Sequence, residues 1–331
     1  MTSRVLITGG LGFIGLHLAR RLAQSKYSVT LVDNLARGVL DSEVEVLLDD
    51  PFVEFEKVDL LVDDNLSKLD CEFNYIFHLA AIIGVAHVSK RPYDVLTANT
   101  MMLDNVLEFA RRQHALQRIL FSSTSEVYAG TLKEFGLDVP TPETAALTVG
   151  DLREPRTSYM LSKIMGEALC HQSHLPMTIF RPHNIYGPRM GMSHVIPEQL
   201  RHAWMTEEGG SIPVYSPSHS RSFCYIDDAV EMLYRMMSCS AAENETLNLG
   251  GNGPEIKMKE LAALCHSATG KRLTIRPMPD TPGSPRRRAP DMTKTNTLLD
   301  FESTVKLKAG IQSTWDWYQS NVFSVSERSN C

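Results

Sequence analysis

RVLITGGLGFIGLHLARRLAQ, residues 4 to 24, passes from an apolar β-type run (Arg4 to Thr8) through closely spaced glycines into a helical pattern. Phe13, Leu16, Leu18 and Leu22 recur there at the spacing of one helix face. Gly9, Gly12 and Gly15 allow a tight turn, close backbone approach to a diphosphate, and close packing of helix on strand. The helix opening at Phe13 and Ile14 turns free N–H groups toward that anion. A lone glycine triplet is weak evidence, but this one lies between an expected strand and an expected helix. The stretch predicts an α/β fold of the Rossmann type: a doubly wound parallel sheet binding a dinucleotide at one edge.

Working outward, SVTLVD forms a second strand ending at Asp33, 18 residues after Gly15. An acidic residue there meets the adenosine ribose diol of NAD and repels a 2′-phosphate. Arg37 in the same loop, just after Asn34, argues the other way, since an arginine accommodates that phosphate; a plain strand-end turn is the structural reading of Asp33. A third strand, VEFEKVDL, is expected to end at Asp59 and Leu60 near the adenine. A fourth, YIFHLAA, brings Leu79, Ala80 and Ala81 to the diphosphate edge, with His78 read as a core residue. Residues 92 to 113 read as a helix with a wide apolar face; Asn99 within it is either solvated or turned toward the active-site end. The fifth strand, RILFSST, carries Ser122, Ser123 and Thr124 to the same edge.

Beyond it runs a Pro-, Thr- and acid-rich connection, read as a flap over the site because long loops in compact domains usually serve function. It ends at YMLSK, Tyr159 to Lys163, followed by a sixth strand, MTIFRP. Residues four apart on a helix share a face, so an ammonium lies near a phenol. A phenol titrates near ~10, and bringing it to neutrality takes roughly 4 kcal/mol of preference for the phenolate, which a nearby cation in a desolvated site supplies.

The rest of the chain sets limits. Its 331 residues are 43% apolar and 22% charged, with a net charge of -6, so no polycationic surface offers itself to nucleic acid or an anionic membrane. The N-terminus enters its apolar run directly, without the regions of a signal peptide, and Tyr75 to Val88 is too short to span a bilayer. The six cysteines (Cys71, Cys170, Cys224, Cys239, Cys265, Cys331) form no C-x-x-C, so thiols in a reducing cytoplasm are expected and no metal site. His171 and His174 read as a solvated helix face, Asp227 and Asp228 as capping an amphipathic helix, and Trp315, Trp317 and Tyr318 as packing in a terminal helix. Arg286 to Arg288 suits one small polyanion.

Taken in order, TGGLGFIG, Asp33, SSTSEVYAG, Tyr159 to Lys163, RPHNIYGPRM and RSFCYIDDAV resemble the extended short-chain dehydrogenase/reductases, specifically their NAD-dependent nucleotide-sugar epimerases, dehydratases and decarboxylases. The likeness runs from Arg4 to about Tyr318 and is greatest to UDP-glucuronate decarboxylases, on TSEVY (Thr124 to Tyr128), LTVG (Leu147 to Gly150), REPR (Arg153 to Arg156) and RAPD (Arg288 to Asp291). Ala129, Ala289 and His183 depart from the usual pattern; His183 either tunes specificity or is a packed strand-end residue.

The resemblance implies that Tyr159 removes the proton of the sugar 4-hydroxyl, with Lys163 lowering its pKa and Thr124 bonding the 4-oxygen, to give a 4-keto sugar. Ser125 and Glu126 orient the C6 carboxylate or the later enolate. Asn184, Arg189, Arg221 and Arg288 are expected on the nucleotide sugar, with UDP favoured. Carboxylate loss is the first expectation and C4 epimerisation the alternative; dehydration follows, since Ser125-Glu126 stands where dTDP-glucose dehydratases carry Asp-Glu. A non-catalytic NAD sensor need not keep Thr124, Tyr159 and Lys163 together.

Residues 1–182 and about 221–250 are assigned to the NAD-binding domain, and 183–220 and 251–331 to a smaller α/β substrate domain. The apolar faces of the helices at 92–113 and 159–174 either pair across a two-fold axis, giving the homodimer usual in such enzymes, or pack on their own sheet.

Overall fold

The computed structural model describes residues 2–62, 66–69, 72–281 and 283–324, so Cys71, Cys331 and part of the acidic connection at 62–70 lie outside it. Strand β1 (Arg4–Thr8) leads into helix α1 (Phe13–Gln24), β2 (Ser28–Asp33), α2 (Ser42–Leu48), β3 (Val53–Lys57) and β4 (Tyr75–His78). Then come α3 (Val85–Lys90), α4 (Pro92–Arg111), β5 (Arg118–Ser122), a 3-10 turn (Ser125–Tyr128), α5 (Ala129–Phe135), α6 (Thr157–Gln172) and β6 (Met177–Pro182). The remainder comprises β7 (Ile185–Tyr186), α7 (Val195–Met205), β8 (Ser211–Val214), β9 (Ser220–Arg221), β10 (Cys224–Tyr225), α8 (Ile226–Ser238), β11 (Thr246–Leu249), β12 (Ile256–Lys257), α9 (Met258–Ala268), β13 (Thr274–Pro277), β14 (Arg287–Arg288), α10 (Thr293–Leu299) and α11 (Leu307–Tyr318).

Seven parallel strands form one sheet in the order β11-β6-β5-β4-β1-β2-β3. Val5, Leu6 and Ile7 are fully buried, as a central parallel strand covered on both faces requires. Edge strand β3 instead carries Glu54, Glu56 and Lys57, charges that blunt an open edge. Helices α1 and α8 pack together, as do α4 and α6, and the core divides into two clusters. The strand order reverses between β1 and β4, so the ends of those strands open the crevice where α/β sheets bind ligands.

Gly166 brings α6 onto the sheet, since a Cβ there would lie 2.5 Å from Phe121 Cζ. Close approach sets Lys163, one turn earlier, above the end of β5. The short strands β12, β9 and β14 form a separate sheet, and β8 pairs with β13.

Three local expectations change. The third strand stops at Lys57, and Asp59 turns the chain by accepting a hydrogen bond from Leu61 N (3.0 Å). The long connection is partly helical, at 125–128 and in α5. Asp228 does not cap its own helix: its carboxylate takes the N–H groups of Thr304 (3.0 Å) and Val305 (2.9 Å), tying α8 to the segment before α11. Trp315 and Tyr318 are buried packing residues, as expected. No helix among the described residues is long and apolar enough to cross a membrane.

Candidate active site

The ends of β1, β4 and β5 lie side by side, because Thr8 is in register with His78 and His78 with Phe121. At this edge Gly12 begins α1 without a side-chain cap or an acidic residue in the first turn, leaving the N–H groups of Phe13 and Ile14 to an anion. A Cβ on Gly15 would lie 2.6 Å from Gly9 O, so only glycine lets the turn close, while Gly9 lies against Ala80 and Leu79. Asp33 stands at the end of β2, where its Oδ1 accepts from Leu35 N (2.9 Å), and Gly38 lies against its carboxylate. Asn34 Oδ1 similarly holds Ala36 N (3.0 Å). Arg37 is exposed in the same loop. Leu60 O accepts from Asn105 of α4 at 2.7 Å. An uncapped helix start, a glycine cradle and a strand-end carboxylate fit a dinucleotide such as NAD.

Asn99 is buried rather than solvated. Its side chain accepts from Ile82 N (2.7 Å) and donates to Ile82 O (3.1 Å) and Ser162 Oγ (3.3 Å), pinning the loop after Ala80 and Ala81 to α6. His78 is a core residue, with Nδ1 on Thr8 Oγ1 at 2.8 Å, and burial pushes its pKa down to about 3.

Over the end of β5 the three hydride-chemistry candidates meet. Thr124 caps the 3-10 turn by accepting from Glu126 N at 3.2 Å, and it shares a hydrogen bond with the phenol of Tyr159. Lys163 Nζ donates to Ser122 O at 2.7 Å and sits 4.8 Å from the Phe121 ring centre. Burial lowers its pKa to about 8, against the charge of Glu167.

The electrostatics differ from the expectation drawn from the Tyr159–Lys163 spacing. Burial holds the Tyr159 phenol up at about 12; Thr124 and Arg37 pull it down and Glu126 pushes it up. Lys163 is engaged with a backbone carbonyl instead, because a buried ammonium takes the nearest acceptor.

Of the residues expected on the nucleotide sugar, Asn184, Arg221 and Arg288 come together from distant segments. Arg288 on β14 donates to Glu126 Oε1 at 2.6 Å and to Asn184 Oδ1 at 3.0 Å, and Asn184 Nδ2 donates to Ser222 O at 2.8 Å. Ser125 is buried beside Glu126. Pairing of β9 with β14 sets Arg221 beside Arg288, but Arg221 is used by the protein, donating to Pro285 O (2.6 Å) and Ser284 Oγ (2.9 Å). Its pKa falls to about 10 through burial and the charge of Arg288.

Arg189 lies away from this cluster, bonded to Leu11 O, Val39 O and Asp41 on the dinucleotide side. Within the arginine triplet, Arg287 pairs with Glu255 at 2.5 Å and Arg288 with Glu126, while Arg286 is exposed. His171 and His174 are exposed, and no group of metal-binding side chains occurs among the described residues.

Sequence reasoning missed a buried network behind the site. Arg181 pairs with both oxygens of Glu167 (2.8 and 2.6 Å) and donates to Tyr128 OH (2.8 Å), and Tyr128 donates to Asn248 Oδ1 (3.1 Å). Asn248 Nδ2 reaches Thr141 O at 2.9 Å, which ties the 136–156 connection to the sheet. Glu167, four residues past Lys163, and an arginine inside the apolar run MTIFRP were the available signals. His183 belongs to this network, with Nε2 on Asn248 Oδ1 at 3.1 Å; it is a packed residue, and burial lowers its pKa to about 3.

Residues 5–250 match the model of the NAD dependent epimerase/dehydratase family. The UDP-N-acetyl-alpha-D-glucosaminuronate decarboxylase of Bacillus cytotoxicus is 31% identical over 332 residues, spanning 96% of this chain and 98% of its own. UDP-glucuronic acid decarboxylase 5 of Arabidopsis thaliana is 32% identical over 320 residues, 93% of this chain and 87% of its own. The structure of UDP-glucuronic acid 4-epimerase from Bacillus cereus, solved with UDP-glucuronic acid and NAD, superposes with a TM-score of 0.80 at 26% identity over 96% of this chain and 99% of its own.

Proposed function

The chain belongs to the NAD-dependent epimerase/dehydratase family, and on that premise we propose that it decarboxylates a UDP-hexuronate, UDP-glucuronate foremost, through a 4-keto sugar. The observation that carries this reading is the Arg288–Glu126 pair at 2.6 Å, with Asn184 on the same guanidinium, next to the turn that Thr124 caps. Gly9 to Gly15, Asp33 and the ends of β3 and β4 would hold NAD, which would supply a hydride acceptor, and later donor, at the sugar C4.

Tyr159 takes the 4-hydroxyl proton as its phenolate, which requires the nicotinium charge of bound NAD to offset the burial that holds the phenol up, and Thr124 hydrogen-bonds the 4-oxygen. The C6 carboxylate is then β to a ketone. Breaking C5–C6 releases CO2 and sends the bonding electrons into the ketone as an enolate, whose oxygen Thr124 and the Tyr159 phenol face. Ser125 and Glu126 orient the carboxylate, and Arg288 balances charge as it moves from C6 to O4 and supports the proton's return to C5. The deep burial that raises the Tyr159 phenol suits the acid half of this cycle.

C4 epimerisation is the second reading, favoured by the likeness over 96% of the chain to a UDP-glucuronic acid 4-epimerase. Incubation with UDP-glucuronate and NAD, followed by mass spectrometry of the nucleotide sugar, separates the two. Loss of CO2 is expected; an isomer of equal mass would replace decarboxylation by epimerisation.

We assign residues 1–182 and about 221–250 to the cofactor half and 183–220 with 251–331 to the sugar half. Membership of β11 in the large sheet and the packing of α8 on α1 support this division. A homodimer through α4 and α6 is the assembly we favour, since Tyr93 (75% exposed), Met101 (53%) and Met165 (49%) leave apolar surface there. Cys170, Cys224, Cys239 and Cys265 are all free, which suits a cytoplasmic location.

A further inference from the structure

Three consecutive residues after β7 are each fastened to another part of the molecule. Pro188 O accepts from His17 Nε2 of α1 at 3.1 Å, and Met190 O accepts from the hydroxyl of Tyr318 at the end of α11. Between them Arg189, with its backbone in the left-handed region (φ 64°) and its side chain 10% exposed, makes three hydrogen bonds. Nη1 donates to Leu11 O (2.8 Å), Nη2 to Val39 O (3.0 Å) and Nε to Asp41 Oδ2 (2.8 Å).

Leu11 stands between Gly10 and Gly12 in the turn expected to hold a diphosphate, and Val39 and Asp41 close the loop that begins after Asp33. One guanidinium therefore bridges the two backbone segments that flank a dinucleotide, and it does so from just beyond β7, the two-residue strand whose other end follows Asn184, the partner of Arg288. Asp41 is fixed in turn, its other oxygen accepting from Val44 N at the start of α2 (3.1 Å). Trp317 and Arg20 hold α2 through Glu43.

We propose that Arg189 is a positioning residue that locks the glycine turn and the 34–41 loop together around the cofactor, so that NAD is retained between turnovers and its release is coupled to the 184–190 segment that carries Asn184. This rests on the NAD-binding reading above. A planar fork suits the site because Nε, Nη1 and Nη2 each meet a separate acceptor, whereas a lysine would have to bring all three acceptors to one nitrogen. Charge-assisted bonds of this kind, when lost, accelerate release by about 10- to 100-fold.

The test loads wild type, Arg189→Met and Arg189→Lys with NAD and follows its dissociation in a chase with unlabelled NAD, with and without UDP. Thermal unfolding of each chain without NAD is recorded alongside. Expected are slow release from wild type, slowed further by UDP; release about 10- to 100-fold faster from Arg189→Met with no response to UDP; and an intermediate rate for Arg189→Lys. Arg189→Met releasing NAD at the wild-type rate with an intact UDP response would overturn the assignment while leaving the cofactor reading in place. Wild type that takes up no NAD would overturn the cofactor reading and the assignment with it. If Arg189→Met fails to fold, Asp41→Asn, which weakens one of the three bonds, carries the same comparison, with faster release expected and an unchanged rate overturning the proposal.

Discussion

The cofactor edge and the sugar edge of this molecule are built in different ways. The first is local: the glycine turn, the start of α1 and Asp33 lie within residues 4–33, and the features that matter are backbone N–H groups and the absence of a Cβ. The second is assembled: Glu126 and Arg288 are 162 positions apart, and Asn184 and Ser222 join them from two further segments. A largely contiguous backbone cradle suits one kind of cofactor, whereas side chains from separate loops are proposed to decide what becomes of the 4-keto sugar.

Several substitutions would break or sharpen that contrast. Tyr159→Phe, at the meeting point of the two edges, should lower kcat by about 10²–10⁴-fold and remove both NADH formation and CO2 release. Stopped-flow absorbance with product analysis checks it, and an unchanged turnover would sink the mechanism. Arg288→Met should separate the edges, leaving NADH formation in a single turnover while CO2 release slows about 10²-fold, with the keto sugar accumulating. If both steps slowed equally, the sugar edge would not be acting after oxidation.

Lys163→Met probes what burial costs the catalytic helix. The folded pKa of about 8 lies below the ordinary lysine value near ~10.4, so the folded chain binds fewer protons than the unfolded chain between them, and its stability rises with pH across that window. At pH 7 this variant should be about 1–3 kcal/mol more stable than wild type after allowing for the lost bond to Ser122 O, and the advantage should vanish by about pH 10. Urea unfolding at several pH values would measure it; a pH-independent difference would contradict the buried-ammonium account.

The smallest effect is expected at His183, which is neutral in its buried network and titrates near 3 in the folded chain. Its contribution is intact above the unfolded value of ~6.5 and is lost as pH falls, by about 2 kcal/mol at pH 5. His183→Gln should flatten the acid limb of the stability profile by about that amount, while His78 and His17, also held low by burial, keep part of the slope.

The glycines, Asp33, Thr124, Tyr159 and Lys163 were legible in the sequence because each is fixed by short-range spacing within a strand-turn-helix or a single helix. Asn99 was legible only as an alternative, since periodicity places it on a face without naming its partners. The network of Arg181, Glu167, Tyr128 and Asn248 left a trace as charges in apolar runs, but nothing in the order of residues says that they meet.

By itself, then, the sequence determined the parallel sheet and its dinucleotide edge and singled out the residues proposed to move a hydride, all through periodicities and glycine positions acting over a few residues. Only the tertiary structure decided that Arg288 pairs with Glu126, that Arg189 faces the cofactor loops, that Asp228 anchors the 304–305 segment and that Tyr159 is governed by burial. Those outcomes depend on which distant segments share a small, poorly solvated volume, where an unpaired charge must find whatever acceptor the fold brings within reach.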